Sequence, residues 1–267
     1  MRMERGNPII LPETQLQPYF AHLTHGPAWR WSGMVLEATA QTVEAAGPLC
    51  SVGECCEIID SESGRHNAEV IGFRGPNVLV MPLDATKGIR YGDRVVATGN
   101  GPSLPLGEQM EGRILDALGC PIDDLPPLKG TTPWALHQTT PRAMERVPIV
   151  TALPTGVRVI DAMLTVGRGQ RVGIFGGSGV GKSTLIGMMT RNTAADITVV
   201  GLVGERGREV REFVEGALGV EGRRRSVVLV STSDESPLLR MRAASAATTV
   251  AEYYAAQGKH VLLVLDS

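Results

Sequence analysis

No stretch of about 18 apolar residues, the length a membrane-spanning helix needs, occurs anywhere in the 267 residues. The opening Met1-Arg2-Met3-Glu4-Arg5-Gly6-Asn7-Pro8 has no apolar run long enough for a signal peptide. The chain is therefore expected to stay in the cytosol. Cysteine is scarce: four residues, at 50, 55, 56 and 120, form no C-x-x-C pair, so neither a zinc site nor a disulfide framework is suggested and reduced structural thiols are expected. The five histidines show no metal-binding helical spacing; His22 and His25 are three apart, with no second ligand pair nearby. Charge of one sign is also missing, because a formal net charge of -2 removes any general electrostatic argument for nucleic-acid or bilayer binding. With aromatics at 4% there is no aromatic-basic stripe of the kind that grips single strands, so no nucleic-acid partner is expected. Internal repeats and low-complexity tracts are absent as well. What is left, 43% hydrophobic and 20% charged, is the balance of a soluble globular protein long enough for two domains.

Residues 176–183 read Gly-Gly-Ser-Gly-Val-Gly-Lys-Ser, which fits G-x-x-x-x-G-K-[ST] at every fixed position. Gly176, Gly177, Ser178, Gly179, Val180 and Gly181 would form a turn whose backbone N–H groups point inward on phosphate oxygens, with Lys182, Ser183 and Thr184 opening the next helix. The apolar run Arg171-Val172-Gly173-Ile174-Phe175 before the loop reads as a strand, and Leu185, Met188 and Met189 after it read as a helix. A nucleoside triphosphate is the ligand this implies. No G-x-G-x-x-G register fits, so a dinucleotide fold is excluded.

Ahead of the loop, Leu16, Phe20 and Leu23 follow Pro12 at helical spacing, which predicts a short amphipathic helix within an N-terminal segment 1–27, packed on its own domain or docked on a partner. Six short candidate strands then cover 28–98: Trp31 to Leu36, Thr42 to Ala45, Glu54 to Ile59, Ala68 to Phe73, Val78 to Met81 and Arg94 to Ala97. Turn residues such as Gly75-Pro76-Asn77 separate them, so a small antiparallel barrel or sandwich is expected. Prolines crowd 99–157, which reads as a connecting and covering segment. From 158 the pattern alternates: strand 171–175, helix to 191, strand 197–203, helix 208–218, strand 226–231, helix 238–257 and strand 261–265. That is an α/β unit with a parallel sheet, extending over 99–267 with the preceding segment. The sequence stops one residue past an apolar strand, where a finished domain rarely stops, so a fragment is expected.

Lys182 is placed to reach β- and γ-phosphates, and the Ser183 hydroxyl is the usual magnesium ligand of such a loop. Asp266 ends an apolar strand and could hold the magnesium shell from the same sheet edge, or simply cap a turn. Glu205 also follows an apolar strand: it could orient or deprotonate an attacking water, or be a first-turn carboxylate favoured by the helix dipole. Glu209 and Glu212 with Arg208 and Arg211 read as a solvated helix face, and Arg223, Arg224 and Arg225 as a solvated turn.

Several of these stretches together resemble a known family: Pro154-Thr155-Gly156-Val157-Arg158-Val159-Ile160-Asp161, Gly167-Arg168-Gly169-Gln170-Arg171, the phosphate loop, Gly204-Glu205-Arg206-Gly207-Arg208-Glu209, and Leu262-Leu263-Val264-Leu265-Asp266-Ser267. The family is the ATPases of type III protein export, relatives of the catalytic subunit of rotary ATP synthases. Gly112-Arg113-Ile114-Leu115-Asp116 and Gly119-Cys120-Pro121-Ile122-Asp123 resemble the segment shared by the wider superfamily, and the match runs from about 30 to 267. Thr232-Ser233-Asp234-Glu235-Ser236-Pro237-Leu238-Leu239-Arg240 looks most like the flagellar branch, where injectisome relatives more often carry Asp-Arg-Pro-Ala. A synthase subunit would be expected to read Gly-Glu-Arg-Thr-Arg and Lys-Thr; this chain has Gly207 and Ser183 there.

The resemblance implies a β-barrel domain, a RecA-like ATP-binding domain and a helical C-terminal domain, in a homohexamer with magnesium-ATP between subunits. It makes Glu205 the water-activating residue and places Arg206 near the γ-phosphate. An arginine supplied across the subunit boundary and an aromatic on adenine would both lie after residue 267. Implied partners are regulator or stator proteins of the export apparatus, met through the N-terminal segment, and export substrates with their chaperones. The implied place is the cytoplasmic face of the inner membrane, peripheral at an export gate. Competing expectations are an injectisome ATPase, a nucleotide-binding or assembly module without turnover in this form, and a nucleic-acid translocase, against which the charge argues.

Overall fold

The computed structural model describes residues 30–267, apart from 63, 84, 85, 87, 137–139 and 178. The helix expected over 13–24 lies outside the described residues. The described residues fall into two compact units, one up to 80 together with 86–99, the other 81–83 and 100–267.

In the first unit the period-two pattern closes on itself. Strands β1 (Ser32–Ala38), β2 (Val43–Ala46), β3 (Cys55–Ile59), β4 (Arg65–Arg74), β5 (Asn77–Pro82) and β6 (Arg94–Ala97) form a closed barrel in the order β1-β2-β5-β4-β3-β6. All six strands read from the sequence are present, with ends moved by a few residues. Alternate residues turn inward: Val43 and Ala45, Cys56 and Ile58, Ala68 and Val70, Val78 and Val80, Val95 and Ala97 make one buried cluster with Val35. These side chains are small because six strands leave a narrow interior. Burial in it pushes the Cys56 thiol up to about 12, which makes it a packing group with no thiolate character near neutral pH.

The second unit is built on a parallel sheet. Strands β7 (Ser103–Leu106), β8 (Ile114–Asp116) and β9 (Thr132–Ala135) come from the proline-rich segment; β7 and β9 pair antiparallel. That segment thus does more than connect and cover, because β8 is the edge strand of the main sheet. There follow α1 (Arg158–Met163), α2 (Lys182–Asn192), β10 (Ile197–Glu205), α3 (Gly207–Glu212), a π-helical turn (Phe213–Leu218), α4 (Gly219–Arg224), β11 (Ser226–Thr232), α5 (Pro237–Ala256) and β12 (Val261–Asp266). The sheet order is β12-β10-β11-β8, and every pairing is parallel.

Both faces of this sheet are covered, so its strands are apolar at nearly every position. Ile197, Val199, Val227 and Leu229 pack on Ala246, Ala247, Val250, Ala251 and Tyr254 of α5. Val200, Leu202, Val228 and Val230 pack on Ile186 of α2 and on Phe213, Val214 and Leu218 of the π turn. Each fully buried branched side chain contributes about 1.5–3 kcal/mol, which makes these two layers the main source of the unit's stability.

A buried ion pair ties the proline-rich segment down. Arg113 donates to both carboxylate oxygens of Asp123 at 2.8 and 3.0 Å, and Arg223 adds a 3.4 Å bond. Burial alone would raise the Asp123 carboxyl, but the Arg113 bonds outweigh it and hold it at about 2. The arginine run is correspondingly less solvated than its pattern suggests: Arg223 also donates to the Gly112 carbonyl, and Arg225 to Ala195 at 2.6 Å.

One expected strand is not formed. Residues 171–177 have no regular structure, and the Phe175 side chain is 97% exposed. A strand is defined by its ladder, and β12, which ends the sheet on that side, pairs only with β10. With no ladder partner among the described residues, apolar β propensity alone does not hold 171–175 extended in a sheet.

Candidate nucleotide site

The phosphate loop is a glycine turn feeding a helix. Gly179 and Gly181 have φ of +75 and +96, the left-handed region that L side chains avoid, and α2 starts directly after Gly181. Gly181 supplies no side-chain cap to α2, so the first-turn N–H groups are left for an outside acceptor. Ser178 lies outside the described residues, while Gly176, Gly177 and Val180 are exposed on the turn.

Lys182, the first residue of α2, reaches across to the end of β12. Its Nζ lies 2.6 Å from Oδ1 of Asp266, a carboxylate whose side chain is only 7% exposed. The hydrogen bond with Asp266 outweighs desolvation and raises the Lys182 ammonium above its ordinary value, so it is charged. Ser183 and Thr184 follow on the exposed side of the same turn. Ser183 and Asp266 are hard oxygen donors, and no group of three or more His, Cys, Asp or Glu gathers among the described residues. That set fits magnesium, which takes one or two protein oxygens and fills its shell with phosphate and water.

Glu205 reaches the site through a β-bulge. In the ladder to β11, Val203 pairs with Ser231, but Glu205 pairs with Thr232, leaving Gly204 as the extra residue at φ +75. Without the bulge Glu205 would share a face with Val203 and Val199, toward α5. The inserted residue turns it to the face of Thr232, Val230 and Val228, the layer that packs on α2. The Glu205 carbonyl is anchored by the Ser233 N–H at 3.1 Å. Burial is the main reason its carboxyl sits above the ordinary carboxylate range; a hydrogen bond with Glu209 and the charge of Asp266 add to this, and Lys182 opposes it.

Arg206 does not face Lys182. Its guanidinium is 67% exposed and donates to Glu209 at 2.8 Å, which with the Glu205 bond keeps the Glu209 carboxyl low. The three groups form a chain, Arg206 to Glu209 to Glu205. The sequence pattern placed Glu209 on a solvated helix face; the structure joins it instead to Glu205, the last residue of β10. Lys182, Asp266 and Glu205 are thus brought together by the start of α2 and the ends of β12 and β10, at the carboxyl edge of a parallel sheet, where such folds bind ligands.

Comparison with known proteins follows the same division. Residues 156–267 match the model of the ATP synthase alpha/beta family, nucleotide-binding domain, and residues 35–99 that of the ATP synthase alpha/beta family, beta-barrel domain. The flagellum-specific ATP synthase of Salmonella typhimurium is 46% identical over 265 residues, covering 95% of this chain and 58% of that protein. The protein of the same name from Treponema pallidum is 47% identical, covering 89% and 54%. Among solved structures, the assembled ATPase EscN of the enteropathogenic E. coli type III secretion system superposes with a TM-score of 0.80 at 37% identity, over 88% of this chain and 56% of that one. The chain spans about half the length of the curated relatives it matches, 58% and 54% for these two. With both units matched in order and the phosphate loop in place, the chain belongs to the ATP synthase alpha/beta family.

Proposed function

We propose that this chain carries the nucleotide grip of a magnesium-dependent ATPase that works as a homohexamer and energises type III export of flagellar proteins. The observation that carries the reading is the contact of Lys182 with Asp266 at 2.6 Å, which joins the phosphate loop to the metal-binding position of the strand edge. Lys182 turns from Asp266 to the β- and γ-phosphates when they enter, with the first-turn N–H groups of α2 holding the same oxygens. Gly176 to Thr184 form the cradle. Ser183 and Asp266 would hold magnesium, which would supply charge neutralisation on the phosphates. Glu205 in its ionised form accepts a proton from the attacking water, and Glu209 releases it to do so. Arg206 leaves Glu209 to meet the γ-phosphate.

Identities of 46 and 47% to flagellum-specific proteins, against 37% to EscN, favour the flagellar over the injectisome reading. EscN has been seen assembled and in complex with its central stalk EscO, which supports a ring with a stalk partner for this protein too. Regulators or stators would meet the segment 1–27, and cargo with chaperones would meet the ring. The place proposed is the cytoplasmic face of the inner membrane at the export gate; no helix among the described residues is long and apolar enough to cross a membrane.

The test is a pair of variants in the protein at its full natural length. Lys182→Ala should lower turnover by about a hundredfold or more through lost phosphate contact, and near-native turnover would sink the phosphate-loop assignment. Glu205→Gln should keep nucleotide binding while removing hydrolysis, and unchanged turnover would return Glu205 to a helix-start role.

A further inference from the structure

The two catalytic groups of the proposed site ride on different elements: Lys182 opens α2, and Glu205 ends β10, two residues before α3. Their separation therefore depends on how α2 seats, on β10 through Ile186 and on the π turn that continues α3. On the π-turn side, where Ile186 packs on Phe213, Val214 and Leu218, the two backbones come together at a buried glycine. A methyl placed on Gly187 would overlap the Ala217 carbonyl oxygen, and would lie 2.8 Å from the Ala217 carbonyl carbon and 2.9 Å from its methyl carbon. Two of those atoms are backbone and cannot rotate away. Ala217 belongs to the π turn Phe213–Leu218, which continues α3 without a break in the helical run. A π turn inserts one residue into a helix and pushes a carbonyl out of line, and such turns recur at functional sites. Here the displaced stretch is the one that seats on α2. A second close approach lies one turn further on, where a methyl placed on Gly222 of α4 would lie 2.9 Å from Cγ of Arg191 of α2, but that neighbour is a flexible chain able to yield.

We propose that Gly187 and the Ala217 backbone form a positioning joint that sets the distance between Lys182 and Glu205. The proposal rests on the ATPase reading given above. Gly187 touches neither substrate nor metal: it acts only by letting α2 sit against the π turn, so that the phosphate grip and the water-activating carboxylate face one γ-phosphate at reacting distance. Widening the joint shifts α2 outward and moves Lys182 and the loop with it, leaving the loop's own geometry intact. Nucleotide binding should then persist while hydrolysis suffers, because displacements of about 1 Å at a reacting centre cost up to about a hundredfold in rate.

The experiment compares Gly187→Ala with Gly216→Ala in the protein at its full natural length. Gly216 lies on the same turn but is exposed, and a methyl there meets nothing within 4 Å. Three quantities are read: kcat, affinity for a fluorescent ATP analogue, and the separation of α2 from the π turn in crystal structures of both variants. Gly187→Ala should lose about tenfold to a hundredfold in kcat, keep affinity within about threefold, and show a widened joint, while Gly216→Ala matches wild type in all three. Adding Ala217→Gly to Gly187→Ala removes the methyl contact and should restore part of the lost kcat; the double variant also carries the measurement should Gly187→Ala fail to fold. Unchanged kcat, an unwidened joint, or an equal loss in Gly216→Ala overturns the proposal. So does a loss of affinity parallel to that of kcat, which would make Gly187 a packing residue only. A wild-type protein without turnover overturns the ATPase reading instead, and the joint then stands or falls on the measured separation.

Discussion

The barrel and the nucleotide-binding unit build their strands differently, alternating in the one and apolar nearly throughout in the other, and finish them differently too. In the barrel each strand has two partners, and β1 and β6 close the ring. In the parallel sheet β12 is an edge, with Leu265 50% exposed near its end. The barrel strands find their partners within a few tens of residues and form as the pattern predicts. The apolar run 171–175 has the same β-rich look yet forms no strand, because ladder partners and not propensity make a sheet. The lesson is that strand signals are self-sufficient in a closed antiparallel ring and conditional in an open parallel one.

Core truncations sharpen this most strongly. Ile58→Ala in the barrel and Leu229→Ala in the sheet, both 0% exposed, should each cost about 2–5 kcal/mol in urea unfolding, and a loss under about 1 kcal/mol at either would show that its layer can collapse around the gap. Asp123→Asn should cost about 3 kcal/mol, since it strands the Arg113 guanidinium, whose side chain is 11% exposed. The same pair sets an acid limit. The folded carboxyl titrates at about 2, below its unfolded value, so the unfolded chain binds the proton first and stability is lost as pH falls from about 4 toward 2. An acid-unfolding curve whose midpoint is unmoved by Asp123→Asn would dismiss that account. The smallest effect is kinetic: native alkylation should modify exposed Cys120 long before Cys56, whose thiol is buried and pushed up to about 12. Equal rates would mean that the barrel opens more readily than its closed ladder suggests. Hydrogen exchange completes the contrast, with amides of 171–177 exchanging fast and those of β3 and β10 slowly.

Legibility followed the range of the interaction. Period-two alternation in 32–97 announced the barrel, and alternating helix and strand patterns announced the parallel sheet, because these signals are local. The phosphate loop was legible from its glycines alone. What escaped the sequence were features fixed by partners far away in the chain: β8 as a sheet edge, the Arg113–Asp123–Arg223 cluster, and the π turn at Phe213–Leu218. Glu205 was readable as a strand-end carboxylate, but not the face it takes. The Glu209 contact was hidden for a related reason, since a charged residue on an exposed helix face carries no mark of its neighbour.

The bulge at Gly204 bears on how such a site could change over time. Substitution is the usual route by which a protein gains or loses a reactive group, yet here the side of the sheet on which residue 205 emerges is set by chain length. Deleting one glycine would rotate the carboxylate to the opposite layer while every buried residue of β10 kept its place. The strand therefore separates two controls, a core held by packing and an outlet set by a count of residues. An insertion or deletion at that point would carry the residue 205 side chain from one layer of the sheet to the other, and back, with the packing of the strand unaware of the change.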